Sequence, residues 1–534
     1  MKIGIERRPL AASESGVAET AARPLGREVE VKFRADDGAL AAVAASALLK
    51  GASVGKAQEL VSTYFESPAF DLQRAGLSLR VRRKGRAIPL MGVKWESGVA
   101  DEVFARGEAE VRCPGGIPDP ALLEGAIRER VVKLLETRPL SPIFETRIKR
   151  RALLVMHGHS TIELSLDEGS IIGGGASLPV AEVELELKSG NLPDLLDFAA
   201  SLARDCGLSL AFEAKSARGY NLAKGDMPQI RKAKPITFQG AINFDDLIAA
   251  VIANCISHFV DNWAALRASD APEAIHQLRV SLRRLRGALG VFRKVIDLPE
   301  LEEIRSEARR IASALGPARE CDVFRVNALG GPFRDEAHMI TGVAQLLAAV
   351  EARRQESYAE ARRVMDDSMT SLFVLDVQSF LARRAWRTAL TPENLGLLTS
   401  DAKVYAGDSL DRLRRRVIKR GKHLPDMPDD ERHELRIALK NLRYATEFFG
   451  GLFSKAKEVR AFLKHVEDLQ EDLGAHNDAV TAQAFVAALT LPPQTEASFA
   501  SGYLLGWLRH GTVFADTHLK MKWKDFRHAP LFWS

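Results

Sequence analysis

Residues 28–32 read Glu-Val-Glu-Val-Lys, and a second run of the same design, Glu-Val-Glu-Leu-Glu-Leu-Lys, occupies residues 182–188. Side chains of a β-strand alternate between two faces, so each run collects its charged residues on one face and its aliphatic residues on the other. One such run is typical of a half-exposed antiparallel strand. Two runs in one chain, with basic strands between them, favour a charged interior that cations must neutralise.

The segments between the two runs repeat this alternation. Residues 77–82 read Leu-Ser-Leu-Arg-Val-Arg and put Arg80 and Arg82 on the polar face, and a later strand puts Glu163 and Asp167 together. Further segments add Lys94, Arg106, Glu108 and Glu110. A sheet of such strands, closed with its polar face inward, forms a tunnel with an acidic floor and basic walls. Carboxylates bind hard divalent cations and basic side chains bind phosphate oxygens, so the tunnel suits a polyphosphate with its metal ion.

This half resembles the CYTH domain, the triphosphate tunnel metalloenzyme family, over about residues 27–222. The pieces that match are residues 28–32, 62–65, 76–82, 167–169, 182–190 and 215–220. Two positions depart from the family pattern: Glu66 stands where the family more often has Asp, and residues 91–94 are a loose version of the strand that delivers Lys94. The resemblance implies an α+β domain with an antiparallel β-barrel tunnel.

The resemblance also implies roles for individual residues. The implied metal ligands, for Mg²⁺ or Mn²⁺, are Glu28, Glu30, Glu182, Glu184 and Glu186. The implied substrate-binding residues are Lys32, Arg80, Arg82, Lys94, Arg106, Arg150 and Lys188. The implied catalytic residues are Glu28, Glu30, Lys32, Asp167, Glu182 and Glu184.

Composition is that of a multidomain globular protein. The chain has 534 residues, 46% of them hydrophobic and 27% charged, and a formal net charge of +5 that is too small to indicate a partner. The scattered cysteines lack a Cys-x-x-Cys pair and favour a reduced, cytoplasmic setting; they are Cys113, Cys206, Cys255 and Cys321. Residues 1–26 lack the apolar core of a signal peptide and are predicted to be disordered. The run Leu247–Val260, interrupted by Asn254 and His258, is predicted to be a core helix and not a membrane span.

Strand patterns end near Tyr220, and a linker over residues 223–237 leads to long helical patterns. These patterns predict an all-α domain over residues 238–530 that contains two repeats, at about 240–330 and 400–490. Residues 276–286, from His276, recur as residues 433–443, and each copy carries a histidine followed by bases at the third, seventh and tenth positions. At 100° per residue the four positions lie within an arc of about 80°, beside a stripe of leucines.

The repeat continues, since residues 315–322 are echoed by residues 473–478. Two equivalent units would pack with a pseudo-twofold axis and merge their basic stripes into one groove. A basic helix face is often only solvated surface, and the two histidines could be ordinary capping or core residues. Interleaved aromatics are sparse, which argues against nucleobase stacking, and zinc is disfavoured because no cysteine or second histidine stands at ligand spacing.

This half resembles the CHAD domain, a histidine-containing α-helical module known for binding inorganic polyphosphate. The matching residues also include Arg284, Arg319, Asp322 and Tyr444. The resemblance implies a polyphosphate site formed by His276, Arg279, Arg283, Arg286, His433, Arg436, Lys440 and Arg443.

Together the two halves predict hydrolysis of inorganic triphosphate to pyrophosphate and phosphate, with polyphosphate as a partner and no specific nucleic acid or membrane. The alternatives are a non-catalytic polyphosphate-binding scaffold and a thiamine triphosphatase or adenylate cyclase. Three further expectations follow. A fragment ending near Ala223 should be active alone, replacement of Glu28 or Glu184 should leave stability largely intact, and Arg353 and Arg354 should be exposed bases outside the site.

Overall fold

The structure is a computed structural model that describes residues 26–96, 103–329, 339–389, 396–424, 427–489, 491 and 495–534. Residues 1–25 of the predicted disordered segment lie outside the described residues. Within α15, defined below, the side chains of residues 475–480 also lie outside them. The echo predicted at 473–478 is therefore seen only as helical backbone.

An antiparallel sheet forms the N-terminal half. Its strands are β1 (Gly26–Arg34), β2 (Ser53–Val54), β3 (Gln58–Glu66), β4 (Leu77–Lys84), β5 (Leu90–Glu96), β6 (Ala105–Arg112), β7 (Ser141–His157), β8 (Ser160–Gly173), β9 (Ala176–Ser189) and β10 (Ser209–Leu210). Eight strands follow the order β1-β6-β5-β4-β3-β7-β8-β9, and β9 pairs again with β1. This pairing closes the barrel that the sequence predicts, while β2 and β10 lie beside it.

The alternation of residues in β1 shows which side chains face the barrel interior and which pack outside it. Val31 and Phe33 are fully buried in the core outside the barrel, where they join Phe198 and other apolar residues of the covering helices. The alternate residues face the barrel interior, where Lys32 lies opposite Glu184 of β9. The period-two pattern therefore sorts apolar residues outward and charged residues inward, as the sequence predicts.

In the described part of the N-terminal half, the α-helices beside the barrel are α1 (Asp37–Ala45), α2 (Asp71–Arg74), α3 (Gly125–Leu135), α4 (Leu192–Cys206) and α5 (Lys215–Lys224). The departure at Glu66 is explained by α2. The Glu66 carboxylate is buried, and its oxygens accept hydrogen bonds from the backbone N–H groups of Leu72 and Gln73 at 3.0 and 2.9 Å. Glu66 thus stabilises the first turn of α2, and it also accepts a hydrogen bond from the Tyr220 hydroxyl at 3.2 Å.

The C-terminal half is helical in the described residues. Its helices are α6 (Phe244–Val260), α7 (Trp263–Ala268), α8 (Pro272–Phe292), α9 (Pro299–Ala314), α10 (Gly316–Leu329), α11 (Val343–Asp366), α12 (Ser368–Ala382), α13 (Ala402–Arg420), α14 (Asp429–Phe449), α15 (Ala456–Ala488) and α16 (Glu496–His528). Short 3₁₀ turns join several of them. The two-domain fold class predicted from the sequence is confirmed.

The two copies of the repeat are α8 and α14, which pack against each other. A Cβ built on Gly287 would lie 3.4 Å from Cδ2 of Tyr444, and each of these residues stands eleven positions after the histidine of its copy. This contact joins equivalent positions of the two copies, as a twofold packing of the repeats would require. The leucine stripes of both copies are buried, including Leu282 and Leu439, as predicted.

By length and composition alone, Phe244–Ala268 could cross a membrane, but 78% of its most apolar stretch is buried inside the protein. Its polar residues have partners within the fold. The Asn254 side chain donates to the carbonyl of Lys234 at 3.0 Å and accepts from Arg284 at 2.8 Å. The first of these bonds also anchors the predicted linker against the helical half.

Candidate functional site

The most enclosed part of the barrel interior joins β7, β8 and β9. Arg150 lies opposite Asp167 and binds its carboxylate with two hydrogen bonds of 2.7 and 2.6 Å. The same guanidinium contacts Glu184. Burial alone would raise the pKa of the Glu184 carboxyl, but Lys215, Lys32 and Arg150 hold it well below its usual range. Glu184 is therefore an ionised group among three cations.

This environment argues against one expectation from the sequence. The expectation that replacement of Glu184 leaves stability largely intact assumes that its loss relieves repulsion among carboxylates. Lys32 approaches Glu184 at 3.2 Å and Lys215 approaches it at 2.7 Å. Its removal would take one counter-charge from each of these cations in a buried site, which is destabilising.

Helix α5 contributes two cations that the site prediction missed. The Lys215 amine contacts Asp167 at 2.9 Å, Glu182 at 2.5 Å and Glu184 at 2.7 Å. Arg218, one helical turn later, contacts Glu182. The sequence did indicate these two residues. Both lie in the segment 215–220 that resembles the family, and their three-residue spacing places them on one face of a helix.

A second acidic group lies on β1, β8 and β9. Glu186 stands opposite Glu30 of β1 on one side and Glu163 of β8 on the other. Burial, and then the nearby carboxylates of Glu28 and Glu163, raise the pKa of Glu186 despite its 2.5 Å contact with Lys188. Like charges directly opposite each other on neighbouring strands are unfavourable without a cation between them.

Cations border this second group. The Lys94 amine contacts Glu28, and it lies 3.3 Å from Glu108. Lys32 contacts Glu30 at 2.9 Å in addition to Glu184. Lys94, which the loose sequence match left least secure, therefore does face the barrel interior.

Arginines form the opposite wall on β4. Arg80 contacts Glu108 at 3.2 Å and Glu110 at 3.0 Å, while the Arg82 Nε donates to the Ser62 hydroxyl at 3.2 Å. Burial, Arg80 and Arg150 lower the pKa of Arg82 to about 10. Glu108 and Glu110 are a second omission from the predicted site, although the alternation of β6 had placed them on its polar face.

Arg106 has a different kind of partner. Its guanidinium donates at 3.2 Å to the backbone carbonyl of Phe212, which lies between β10 and α5. Arg106 also lies opposite Glu28 in the β1–β6 pairing. The barrel interior thus brings together the predicted metal-binding and substrate-binding residues, but Arg106 is tied to a segment outside the wall.

The donor chemistry of the barrel fits a hard divalent cation, because the acidic groups supply carboxylate oxygens. In the described residues, no three His, Cys, Asp or Glu side chains are already arranged around a common metal position. The predicted ligands instead contact lysines and arginines. Metal binding would therefore require some of them, such as Glu28, to exchange an ammonium partner for the ion.

The comparison with protein families agrees with this geometry. The sequence model of the CYTH domain matches residues 26–220, and that of the CHAD domain matches residues 250–487. The chain consists of a CYTH domain followed by a CHAD domain. The barrel interior described above lies within the CYTH match, and both α8 and α14 lie within the CHAD match.

Three similar proteins illustrate the relationship. An inorganic triphosphatase of Haemophilus influenzae is 32% identical over 164 residues, which are 30% of this chain and 46% of that relative, so the match spans less than half of the relative's length. An uncharacterized protein of Mycobacterium tuberculosis is 24% identical over 84% of this chain and 86% of its own length. The crystal structure of the CHAD domain from the plant Ricinus communis is 28% identical and covers 57% of this chain and 99% of that chain, with a TM-score of 0.48.

In the CHAD domain, the first copy of the repeat forms a cluster in which cations outnumber the nearby carboxylates, which are Glu273 beside His276 and Glu320 beside Arg279. Burial, then Arg319 and the arginines of α8, lower the pKa of His276 to about 4. Burial, Arg283 and Arg319 likewise lower the pKa of Arg279 to about 10. The Arg279 guanidinium donates to the carbonyl of Ala312 near the end of α9. The Nε atoms of Arg283 and Arg286 are buried without a hydrogen-bond partner in the described structure.

The second copy is arranged differently. His433 is exposed, and Arg436 and Lys440 are half-buried. Arg443 lies 3.3 Å from Glu447, which also lies 3.4 Å from Arg284 of the first copy. Glu447 therefore links the two basic helices.

Arg354 corrects another expectation. It is 6% exposed, not an exposed base, and its Nε donates to Asp322 at 2.8 Å. The Tyr358 hydroxyl donates to the same carboxylate at 2.7 Å. Burial alone would lower the pKa of the Arg354 guanidinium, but Asp322 raises it. Arg354 is a structural residue of the α10–α11 contact, whereas Arg353 is half-exposed beside Glu356.

Proposed function

We propose that the CYTH domain hydrolyses inorganic triphosphate to pyrophosphate and phosphate inside the barrel. The observation that carries the proposal is the state of Arg80 and Arg82. The Arg80 Nε is buried without a hydrogen-bond partner, and the Arg82 guanidinium has a neutral hydroxyl and no carboxylate partner in the described structure. A phosphate oxygen would satisfy both groups with charge-assisted hydrogen bonds.

The remaining interior cations have a consistent role in this proposal. Lys32, Lys94 and Arg150 lie around the same interior and can hold the other phosphoryl groups of a linear substrate. Water attacks the terminal phosphorus in line, the phosphoanhydride bond breaks, and pyrophosphate leaves. The basic side chains stabilise the negative charge that develops on the departing oxygen.

The family implies a divalent cation. Of the five implied ligands, Glu28, Glu30 and Glu186 are the ones that would hold it, because Glu182 and Glu184 are paired with Lys215. When bound, Mg²⁺ or Mn²⁺ would neutralise and orient phosphoryl oxygens. The choice between the two ions stays a prediction. So does a cytoplasmic location, which the four free cysteines support.

A substrate panel tests the proposal. The purified full-length protein would be incubated with inorganic triphosphate, ATP or thiamine triphosphate, each with Mg²⁺ or Mn²⁺, and phosphate release measured. The proposal expects inorganic triphosphate to give the highest kcat/KM. A higher kcat/KM for ATP or thiamine triphosphate would show that this compound, and not inorganic triphosphate, is the preferred substrate. No phosphate release from any of the three would show that the barrel only binds its ligand.

For the CHAD domain we propose binding of inorganic polyphosphate by the cluster around His276. The support is the concentration of cations there, with Arg283 and Arg286 each carrying a buried nitrogen that lacks a partner in the described structure. Burial, Arg309 and Arg305 lower the pKa of Arg286, which indicates that positive charge extends onto α9. A chain of phosphates offers negative charge at short, regular intervals along such a surface.

This second proposal is tested in the full-length protein. The affinity for long-chain polyphosphate should fall steeply as salt rises, by analogy with single-stranded nucleic acids. Replacement of Arg283 and Arg286 together by Ala should lower both the affinity and the salt slope, while Arg353→Ala should change neither. Equal binding by wild type and the double variant would contradict the proposed site. Effective competition by single-stranded DNA of matched charge would show a general polyanion surface.

A further inference from the structure

A short backbone segment leads from β10 directly into the barrel site. Ser209 and Leu210 form β10, residues 211–214 follow, and Lys215 is the first residue of α5. The amine of Lys215 contacts three carboxylates of the barrel. The path of residues 209–214 therefore sets where this amine lies.

The CHAD domain holds this segment from both sides of Leu210. The Leu210 N–H donates to the Ser371 hydroxyl at 2.8 Å, and its carbonyl accepts from Arg267 Nη1 at 3.1 Å. Arg267 Nη2 also donates to the Ser209 hydroxyl at 2.6 Å. Ser371 is fully buried and the Arg267 side chain is 15% exposed, so water competes little for these bonds.

Aromatic side chains extend the contact between residues 209–214 and the CHAD domain toward the barrel wall. The Phe212 ring lies against Trp263 of α7, with centroids 5.3 Å apart, and near Phe104 at 6.2 Å. The carbonyl of Phe212 is the acceptor for Arg106. The segment held by the CHAD domain thus contacts the barrel interior at two points, through Lys215 and through Arg106.

Arg267 is itself held in place. Its Nε donates to the Asp366 carboxylate at 2.5 Å, at the end of α11. Asp366 therefore leaves the two terminal nitrogens of Arg267 directed at Ser209 and Leu210. A guanidinium held by a carboxylate on one edge is a rigid donor on the other.

We propose that Arg267, with Ser371 and Trp263, is a positioning residue for the barrel site: the CHAD domain fixes residues 209–214 and through them Lys215 and Arg106. This inference rests on the proposed function and extends it. It replaces the expectation that a fragment ending near Ala223 is active alone. The CYTH barrel is catalytically complete only when the helical domain is packed against it.

The first test uses full-length variants and inorganic triphosphate. Arg267→Ala should lower kcat/KM by about 10–100-fold, because misplacement of a catalytic group by about 1 Å has effects of this size. Ser371→Ala, which removes one hydrogen bond, should have a smaller effect, and Arg267→Lys should recover part of the loss. Arg383→Ala is the matched control, since its 2.5 Å ion pair with Asp197 joins the two domains away from the segment. Equal losses in Arg267→Ala and Arg383→Ala would overturn the proposal.

A double-mutant cycle distinguishes positioning from general destabilisation. If Arg267 acts in part through Lys215, Arg267→Ala should lower kcat/KM by a clearly smaller factor in a Lys215→Ala background than in wild type, and the remaining loss comes through Arg106. A loss as large as that in the wild-type background would show that Arg267 does not act through Lys215.

Hydrogen–deuterium exchange supplies a readout that does not depend on activity. Peptides covering residues 209–218 should exchange faster in Arg267→Ala and in Ser371→Ala than in wild type. In Arg383→Ala their exchange rate should equal that of wild type. A wild-type protein without triphosphatase activity would refute the proposed function while this exchange still tests the contact. Unchanged exchange in both variants would refute the positioning role itself.

Discussion

Lys215 of α5 lies 2.7 Å from Glu184 of β9, so a helix that begins outside the barrel delivers a cation to the carboxylates inside it. Burial would lower the pKa of Lys215, but Glu182, Glu184 and Asp167 raise it. The amine is therefore charged at neutral pH and neutralises the most enclosed acidic group of the barrel. This relationship connects the two halves of the chain, because the residues just before Lys215 are held by the helical domain.

We expect Lys215→Ala to lower both stability and activity. Removal of one partner from a buried ion network costs about 3–5 kcal/mol, since the remaining carboxylates repel each other. Triphosphate hydrolysis should fall by about 10–100-fold as those carboxylates move. Denaturant unfolding and phosphate release measure the two effects. Arg147→Ala, which removes an exposed cation paired with Glu145, is the control and should change neither. Wild-type stability in Lys215→Ala would contradict the charge arrangement described.

The two acidic groups should respond differently to loss of a carboxylate. Glu184→Ala should destabilise the protein by about 3–5 kcal/mol because it removes a buried carboxylate that three cations share. Glu186→Ala should change the free energy of unfolding little, since Glu186 stands between two other carboxylates. Urea unfolding of both variants without added metal checks this contrast. A larger loss of unfolding free energy in Glu186→Ala than in Glu184→Ala would contradict the statement that Glu184 is neutralised by cations and Glu186 is repelled by carboxylates.

Adjacent arginines provide a matched pair in the helical domain. Arg354→Ala should destabilise by about 3–5 kcal/mol because Asp322 is left buried without its cation. Arg353→Ala should have an effect of at most about 1 kcal/mol, since its nearest carboxylate is 3.8 Å away at the surface. Thermal unfolding of the two variants tests the prediction, and equal melting temperatures would contradict it.

A pH dependence follows from His258, which is buried in α6 and hydrogen-bonded to Gln277 at 2.9 Å. Burial and Arg284 lower the pKa of His258 to about 4, so the unfolded chain binds its proton more tightly than the folded protein does. The resulting stabilisation is present above about pH 6.5 and is lost as the pH falls toward about 4.

Because the pKa of His258 is about 6.5 in the unfolded chain and about 4 in the folded protein, wild type should lose about 2 kcal/mol more than His258→Gln between about pH 7 and about pH 5. Urea unfolding at the two pH values measures the difference. His276 titrates in the same window in both proteins, so most of its contribution cancels; its charge is also one of those that lower the pKa of His258. Identical pH dependence in the two proteins would show that His258 is not shifted.

The parts of the fold that the sequence predicts are those set by local patterns. Alternation placed Val31 outside the barrel and Lys32 inside it, and the helical period placed Leu282 and Leu439 in the core. These patterns repeat every two or every 3.6 residues, so they are readable without knowledge of distant contacts.

The parts that were missed depend on distant contacts. Lys215 reaches the site because α5 packs against β7 and β8. Its spacing from Arg218 places both on one helix face, but it does not show which surface that face contacts. Arg354 is buried because its partner Asp322 lies on another helix, although its neighbour Arg353 is half-exposed. Charge type was therefore predictable from the sequence, but the pairing of charges was not.

The most direct test of the central claim is the steady-state hydrolysis of inorganic triphosphate by the full-length protein and its Arg82→Ala variant with Mg²⁺. The account predicts that wild type releases phosphate and that Arg82→Ala loses at least about tenfold in kcat/KM, because a charge-assisted hydrogen bond to the substrate in a water-excluded site is removed. Melting temperatures of the two proteins should remain close, since Arg82 has no carboxylate partner in the described structure. Equal kcat/KM values for wild type and Arg82→Ala would contradict the assignment of the barrel interior as the triphosphate site.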